Sequence, residues 1–138
     1  MIALCQSSFP VAPEQIAAGD TRSVAVDPSG DVVSAGFISP VVDNNDDFIV
    51  VKLSGTDGGE LWRYVPGTQI PAFAVVLDAT ANVLAAGGGV VKLDGGGTFL
   101  TAWSGGFNFK PVGVATDASG NVYIVDYGNN RVQKFACP

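Results

Sequence analysis

The chain has 138 residues, 47% of them hydrophobic and 14% charged, which is enough apolar material for one folded core and too little length for a multidomain enzyme. Seven Lys and Arg stand against thirteen Asp and Glu, a net charge of -6, so a polyanion such as nucleic acid is not an expected partner. Histidine is absent, which removes imidazole metal ligands, Ser-His-Asp and Cys-His nucleophile pairs and histidine general bases together. Glycine fills 18 positions and valine dominates the branched aliphatics, a balance that favours turns and strands over helices. No apolar run approaches the ~18 residues of a membrane span, so no membrane association is expected.

Residues 1–22 read as a lead-in. The segment Met1 to Pro10 carries neither a basic leader nor a long apolar stretch. Cys5 and Cys137 lie near opposite ends, so a disulfide between them is one reading in an oxidising compartment. Two unpaired, partly buried thiols are the other, and no CxxC points to metal or redox chemistry.

From residue 23 the chain repeats itself, with a period near forty: Lys92 follows Lys52 by 40 positions and Lys134 follows Lys92 by 42. Each copy has an apolar run ending in Asp27, Asp78 or Asp117, a four-residue turn, a second apolar run and a third ending at Lys52, Lys92 or Lys134. In Asp27-Pro28-Ser29-Gly30 and Asp117-Ala118-Ser119-Gly120 the Asp accepts from turn amides and Gly takes the last place, as in a type I turn. These aspartates are therefore structural rather than a carboxylate array. The second copy, Asp78-Ala79-Thr80-Ala81, lacks the glycine and is expected to be slightly strained, with Asn82 tolerating left-handed angles.

The first copy predicts strands at 24–26, 32–35, 48–53 and 61–64, and the second at 74–77, 83–86, 90–93 and 99–103. The third stops after its third strand. Between the first copy's strands, Asp43, Asn45 and Asp47 begin like a calcium loop, but Phe48 stands where the turn glycine belongs and Ser54 at the twelfth place. A solvated acidic loop is the reading. Glycines 87–89 and 95–97 form neither a dinucleotide fingerprint nor a phosphate loop and read as hairpin turns. Sheets that are apolar on both faces must be covered on both, and stacking around an axis is the solution at this period. The fold class is all-β: about three four-stranded antiparallel blades, over roughly 23–64, 73–103 and 111–138, of an incomplete β-propeller.

Residues 111–135 carry Pro111, Gly113-Val114-Ala115, Asp117, Gly120-Asn121-Val122-Tyr123, Asp126 and Gly128-Asn129-Asn130-Arg131-Val132-Gln133. This stretch resembles the NHL repeat. The first copy, with Asp47-Phe48-Ile49-Val50-Val51-Lys52-Leu53 and Gly59-Glu60-Leu61-Trp62, is similar to a related bacterial propeller repeat. The resemblance implies a propeller, usually six-bladed, serving mostly as a binding surface and in some relatives as a lyase or hydrolase scaffold.

Three copies do not close a ring of four to eight blades. The chain is then a fragment of a longer propeller, half of a ring completed by a second chain, or an open stack, with the fragment preferred and self-association through bare blade faces expected. Trp62 and Trp103 are assigned to equivalent outer-strand places and inter-blade packing. Phe107 and Phe109 are expected to be exposed, and Asp126 and Arg131 to form an exposed pair contributing about 0–1 kcal/mol. The expected function is a non-catalytic scaffold for a protein or small extracellular ligand, bound through Phe107, Phe109, Tyr127, Asn129, Asn130 and Arg131, with no metal and no cofactor. The competing reading is a piece of a propeller lyase or hydrolase whose active-site residues lie in other blades. Low charge and acidic composition lean toward a secreted or surface protein.

Overall fold

Eleven strands in three antiparallel meanders make up the computed structural model, which describes residues 19–39 and 46–136. Cys5, Cys137, Asp43, Asn45 and residues 1–18 of the expected lead-in lie outside the described residues. The first sheet joins β1 (Gly19–Val26), β2 (Val32–Ile38), β3 (Asp47–Leu53) and β4 (Glu60–Tyr64) in that order. The second joins β5 (Ala74–Leu77), β6 (Val83–Ala86), β7 (Val90–Leu93) and β8 (Phe99–Trp103), and the third β9 (Pro111–Thr116), β10 (Val122–Asp126) and β11 (Arg131–Phe135). The four strands of blade 2 fall at the expected positions. Blade 1 starts four residues before Ser23, because β1 pairs with β2 as far back as Gly19 opposite Ile38.

The sheets stack in chain order, with the first strands β1, β5 and β9 adjoining in turn as the innermost of their blades. Alternation along each strand sends successive side chains to opposite faces. Val33, Ala35, Phe48 and Val50 of blade 1 thereby meet Val75, Val83, Ala85 and Leu93 of blade 2 in one core cluster. A second cluster joins Leu84, Ala86 and Val90 of blade 2 to Val122 and Ile124 of blade 3. Both tryptophans fill these seams. Trp62 packs on the first cluster and donates its indole N–H to the Gly95 carbonyl of blade 2 at 3.1 Å. Trp103 joins the second and lies 6.4 Å, centroid to centroid, from Phe135. Their places are not equivalent: Trp62 stands opposite Lys52 and Trp103 opposite Val90, two steps along the neighbouring strand.

The turn aspartates hold the hairpins as their positions require. Asp27 Oδ1 accepts from the Ser29 and Asp31 amides, Asp78 Oδ1 from Thr80 and Asn82, and Asp117 Oδ1 from Ser119 and Asn121, all at 2.9–3.0 Å. Each also has a partner from a neighbouring strand. Lys52 bonds Asp27 at 2.6 Å and Lys92 bonds Asp78 at 2.8 Å, whereas in blade 3 the Tyr123 hydroxyl donates to Asp117 at 3.0 Å and Lys134 lies over the Tyr123 ring. Burial of Asp78 opposes its ionisation, but donors from Lys92, Asn82 and Thr80 outweigh this and hold its carboxyl well below the usual range.

The strain expected in the second hairpin falls on Ala81, with φ 62°, rather than on Asn82. Ala81 occupies the place of Gly30 and Gly120, with φ of 87° and 82°, and Asn82 instead turns its amide to Asp78. A left-handed alanine costs about 1–2 kcal/mol, partly offset by the greater unfolded-chain freedom of glycine. Ala81→Gly therefore raises stability in urea unfolding by about 0.5–1 kcal/mol, and Gly120→Ala lowers it by a similar amount; a loss on Ala81→Gly contradicts the assignment.

Candidate functional site

Meander topology divides the loops between two faces. The β1–β2, β5–β6 and β9–β10 turns lie on one, and the connections 65–73 and 104–110, with the turn 127–130, on the other. All six residues expected to bind lie on this second face, in or beside the connection into blade 3 and the β10–β11 turn. The turn is a single 3-10 turn at Tyr127–Asn129, closed by Asn130 in the left-handed region at φ 51°, a conformation Asn tolerates better than most residues.

Asp126 joins the two segments. Its carboxylate is fully buried and accepts from the Lys110 amide at 3.0 Å, from Asn129 Nδ2 at 2.7 Å and from Arg131 Nε at 3.0 Å. Asn129 Nδ2 also donates to the Phe107 carbonyl at 3.1 Å, Arg131 Nη2 to the Gly105 carbonyl at 3.2 Å, and the Tyr127 amide to the Lys110 carbonyl at 3.0 Å. Asn108 adds a bond to the Gly128 carbonyl. Gly128 must be glycine here, because a Cβ would fall on the Asn108 carbonyl. With its amide oxygen turned to the guanidinium, Gln133 accepts from Arg131 Nη2 at 2.6 Å.

The six residues therefore divide by role. Asn129 and Arg131 brace the loops, their donors used within the chain. Phe109 turns inward onto the second core cluster, against the expectation of exposure, and a Cβ on Gly105 would overlap its ring. Phe107, 96% exposed, and Tyr127, 68% exposed, project from the braced loops, and Asn130 is exposed beside them. The expected exposed ion pair is corrected as well: Asp126 and Arg131 do pair, but the carboxylate is at 0% exposure, shut in by the connection 104–110.

Arg22 lies just before the repeat as it reads in the sequence, which begins at Ser23. β1 carries a bulge between Thr21 and Ser23, and the Arg22 guanidinium lies 4.9 Å from the Phe37 ring centroid and 4.8 Å from that of Phe73. Counting back five places from each turn aspartate aligns Arg22 with Phe73 and Val112. That alignment was the available signal. A groove of about 410 Å³ between blades 1 and 2, lined by Phe48, Tyr64, Ile70, Phe99 and Trp103 among others, is a further apolar recess.

Burial opposes ionisation of Asp126, yet donors from Asn129, the Lys110 amide and Arg131 prevail and hold its carboxyl below the ordinary value of 3.8. A carboxyl depressed by folding stabilises the fold above its unfolded pKa and ceases to do so as the pH falls through the folded one. Arg131→Ala, by removing a partner of a buried carboxylate, lowers Tm at pH 7 by about 5–10 °C. This difference narrows as the pH falls below 3.8. A Tm change within about 2 °C at pH 7 contradicts the bracing role.

Comparison with protein-family models matches residues 110–135 to the NHL repeat. No curated protein matches the chain. Among solved structures it is similar to a catalytically inactive virginiamycin B lyase from Staphylococcus aureus with quinupristin, at TM-score 0.69 and 10% identity over 92% of this chain and 44% of that one. A selenomethionine-substituted virginiamycin B lyase from the same organism matches at TM-score 0.59 and 8% identity, over 86% and 41%. A protein of unknown function from Bacteroides caccae matches at 0.55 and 14%, over 88% and 47%. At these identities the likeness shows the fold alone, and the chain spans less than half the length of the solved chains it matches. Residues 110–135 therefore match the NHL repeat, and the fold of the chain is that of an incomplete β-propeller.

Proposed function

We propose that this propeller segment is a non-catalytic binding scaffold, and that it holds a protein or small extracellular ligand on the face bearing the inter-blade connections. One observation carries the reading. Phe107 and Tyr127 stand out into solvent from two loops that are hydrogen-bonded to each other and to a buried carboxylate. Isolated exposed apolar residues need no explanation, but two aromatics projecting from a braced support offer contact area at low entropic cost, as recognition surfaces do. Asn130 adds polar groups at the rim. On the open side of blade 3, Val125 and Val132 pair across β10 and β11 at 44% and 66% exposure, and self-association there belongs to the same reading.

The second reading, part of a propeller lyase or hydrolase, is favoured by the likeness in fold to virginiamycin B lyase. With no histidine in the sequence, an imidazole base would have to come from blades outside this chain.

Peptides selected for binding to the chain test the proposal. The selected binders are expected to lose about tenfold or more in affinity with Phe107→Ser or Tyr127→Ser, while Tm stays within about 2 °C because both side chains are exposed. A panel of esters, lactones and glycans, with and without calcium, is expected to show no turnover. Unchanged affinity in both variants, or sustained turnover, overturns the reading.

A further inference from the structure

The seven basic side chains are not equivalent in their surroundings. Lys52, Arg63, Lys92 and Arg131 are each paired with a carboxylate. Lys134 lies over Tyr123, and Lys110 extends from the braced connection, its amide rather than its ammonium bonded to Asp126. Arg22 is different: its guanidinium lies over two aromatic rings, and among the described residues it has neither an ion pair nor a hydrogen bond.

Three features of sequence and backbone produce this arrangement. The bulge at Thr21/Ser23 breaks the alternation of β1, and bulges re-aim a side chain in this way. Phe37 ends the core-facing series Val33, Ala35, Phe37 on β2, and Phe73 enters blade 2 just before β5. Arg22 is thus held at the inner end of the seam between the blades, on the face that bears the inter-blade connections. A guanidinium stacked on aromatic rings keeps its in-plane N–H fork free to donate, and Arg22 is exposed to solvent. Such a fork matches a planar carboxylate bidentately, and the ordering cost of the long side chain has already been met by the rings.

We propose that Arg22, held by Phe37 and Phe73, is the anchor for a carboxylate-bearing ligand. Both a small organic acid and the C-terminal carboxylate of a peptide present this group. A monoanion is favoured over a phosphate dianion, because Asp20 lies two places along β1, Asp47 stands opposite Ile38 in the same sheet, and the chain's net charge is -6. The anchor extends the proposed recognition face to a place independent of Phe107 and Tyr127.

The full chain, labelled with nitrogen-15, is titrated with sodium acetate against sodium chloride at constant ionic strength, with acetamide and inorganic phosphate as parallel arms. The Arg22 Nε–H resonance and the Phe73 amide are followed. Acetate is expected to shift both saturably while acetamide and chloride do not, and phosphate is expected to saturate at higher concentration than acetate. Arg22→Lys keeps the charge but loses the fork, and weakens acetate binding by about tenfold, read at Phe73. Phe37→Leu weakens it with the charge unchanged. Acetyl-Gly-Gly with a free C-terminus is expected to bind and its amide not to; binding of acetate alone restricts the ligand to small acids. A linear shift common to acetate and chloride, or an undiminished response in Arg22→Lys, overturns the proposal, and tighter binding of phosphate overturns the carboxylate assignment. Phe107→Ser and Tyr127→Ser leave the acetate response unchanged, so failure of the anchor and failure of the aromatic recognition reading are separately visible.

Discussion

Val83 and Ala85 of β6 point into the seam with blade 1, and Leu84 and Ala86 into the seam with blade 3, so all four residues of one strand are buried, on both sides. The rest of the structure depends on this two-sided covering. A four-stranded sheet of this size exposes an apolar face that water does not tolerate, and blade 2 resolves the difficulty only because a neighbour lies against each side. Burial of a Val or Leu side chain is worth about 1.5–3 kcal/mol, and both seams draw on the same central strand. The two tryptophans close the outer ends of those seams, one for each. Bounded by three short meanders, the stack leaves its polar chemistry to the turns and connections at the strand ends.

On the loop face, buried charge is used to fix geometry. An isolated carboxylate in an apolar setting is costly, and Asp126 is tolerated there because Lys110, Asn129 and Arg131 all donate to it. The signature Asp126, Gly128, Asn129 and Arg131 thus has a mechanical meaning: it ties the hairpin of one blade to the connection arriving from the blade before. Residues that look like a polar binding edge when read along the sequence are largely the support, and the aromatic side chains standing on the support are the accessible part. Arg22 shows a different economy on the same face. There a cation is ordered by aromatic rings rather than by a carboxylate, which leaves its hydrogen-bonding edge uncommitted.

Much of the fold was legible because its determinants are local. The turn aspartates recur at a fixed distance from the strands they separate, and the apolar runs between them give strand bounds that agree with blade 2 at every end. What was hidden depends on contacts distant in the sequence. Asp126 is buried by a segment that begins some twenty positions earlier, and no pattern near Asp126 announces that cover. Phe107 and Phe109 look alike as loop aromatics, and only the second core cluster separates them, taking one and leaving the other in solvent. Propensity favours asparagine in left-handed backbone and points to Asn82, whereas the turn geometry selects the fourth position, Ala81, whatever residue occupies it. Arg22 belongs to a strand whose bulge moves the side chain to the other face, and a period-two reading cannot anticipate a bulge.

The two seams cohere through one shared strand, β6. Trp62 reports the first seam and Trp103 the second, so single-tryptophan variants, Trp103→Phe and Trp62→Phe, allow each to be followed alone by fluorescence during urea unfolding. Coincident midpoints are expected once the small effect of each replacement on total stability is referenced by circular dichroism, and a Leu84→Ala background is expected to lower both midpoints together. Separate transitions, or a Leu84→Ala effect confined to the Trp103 signal, would show that the blades stand independently and share no common strand.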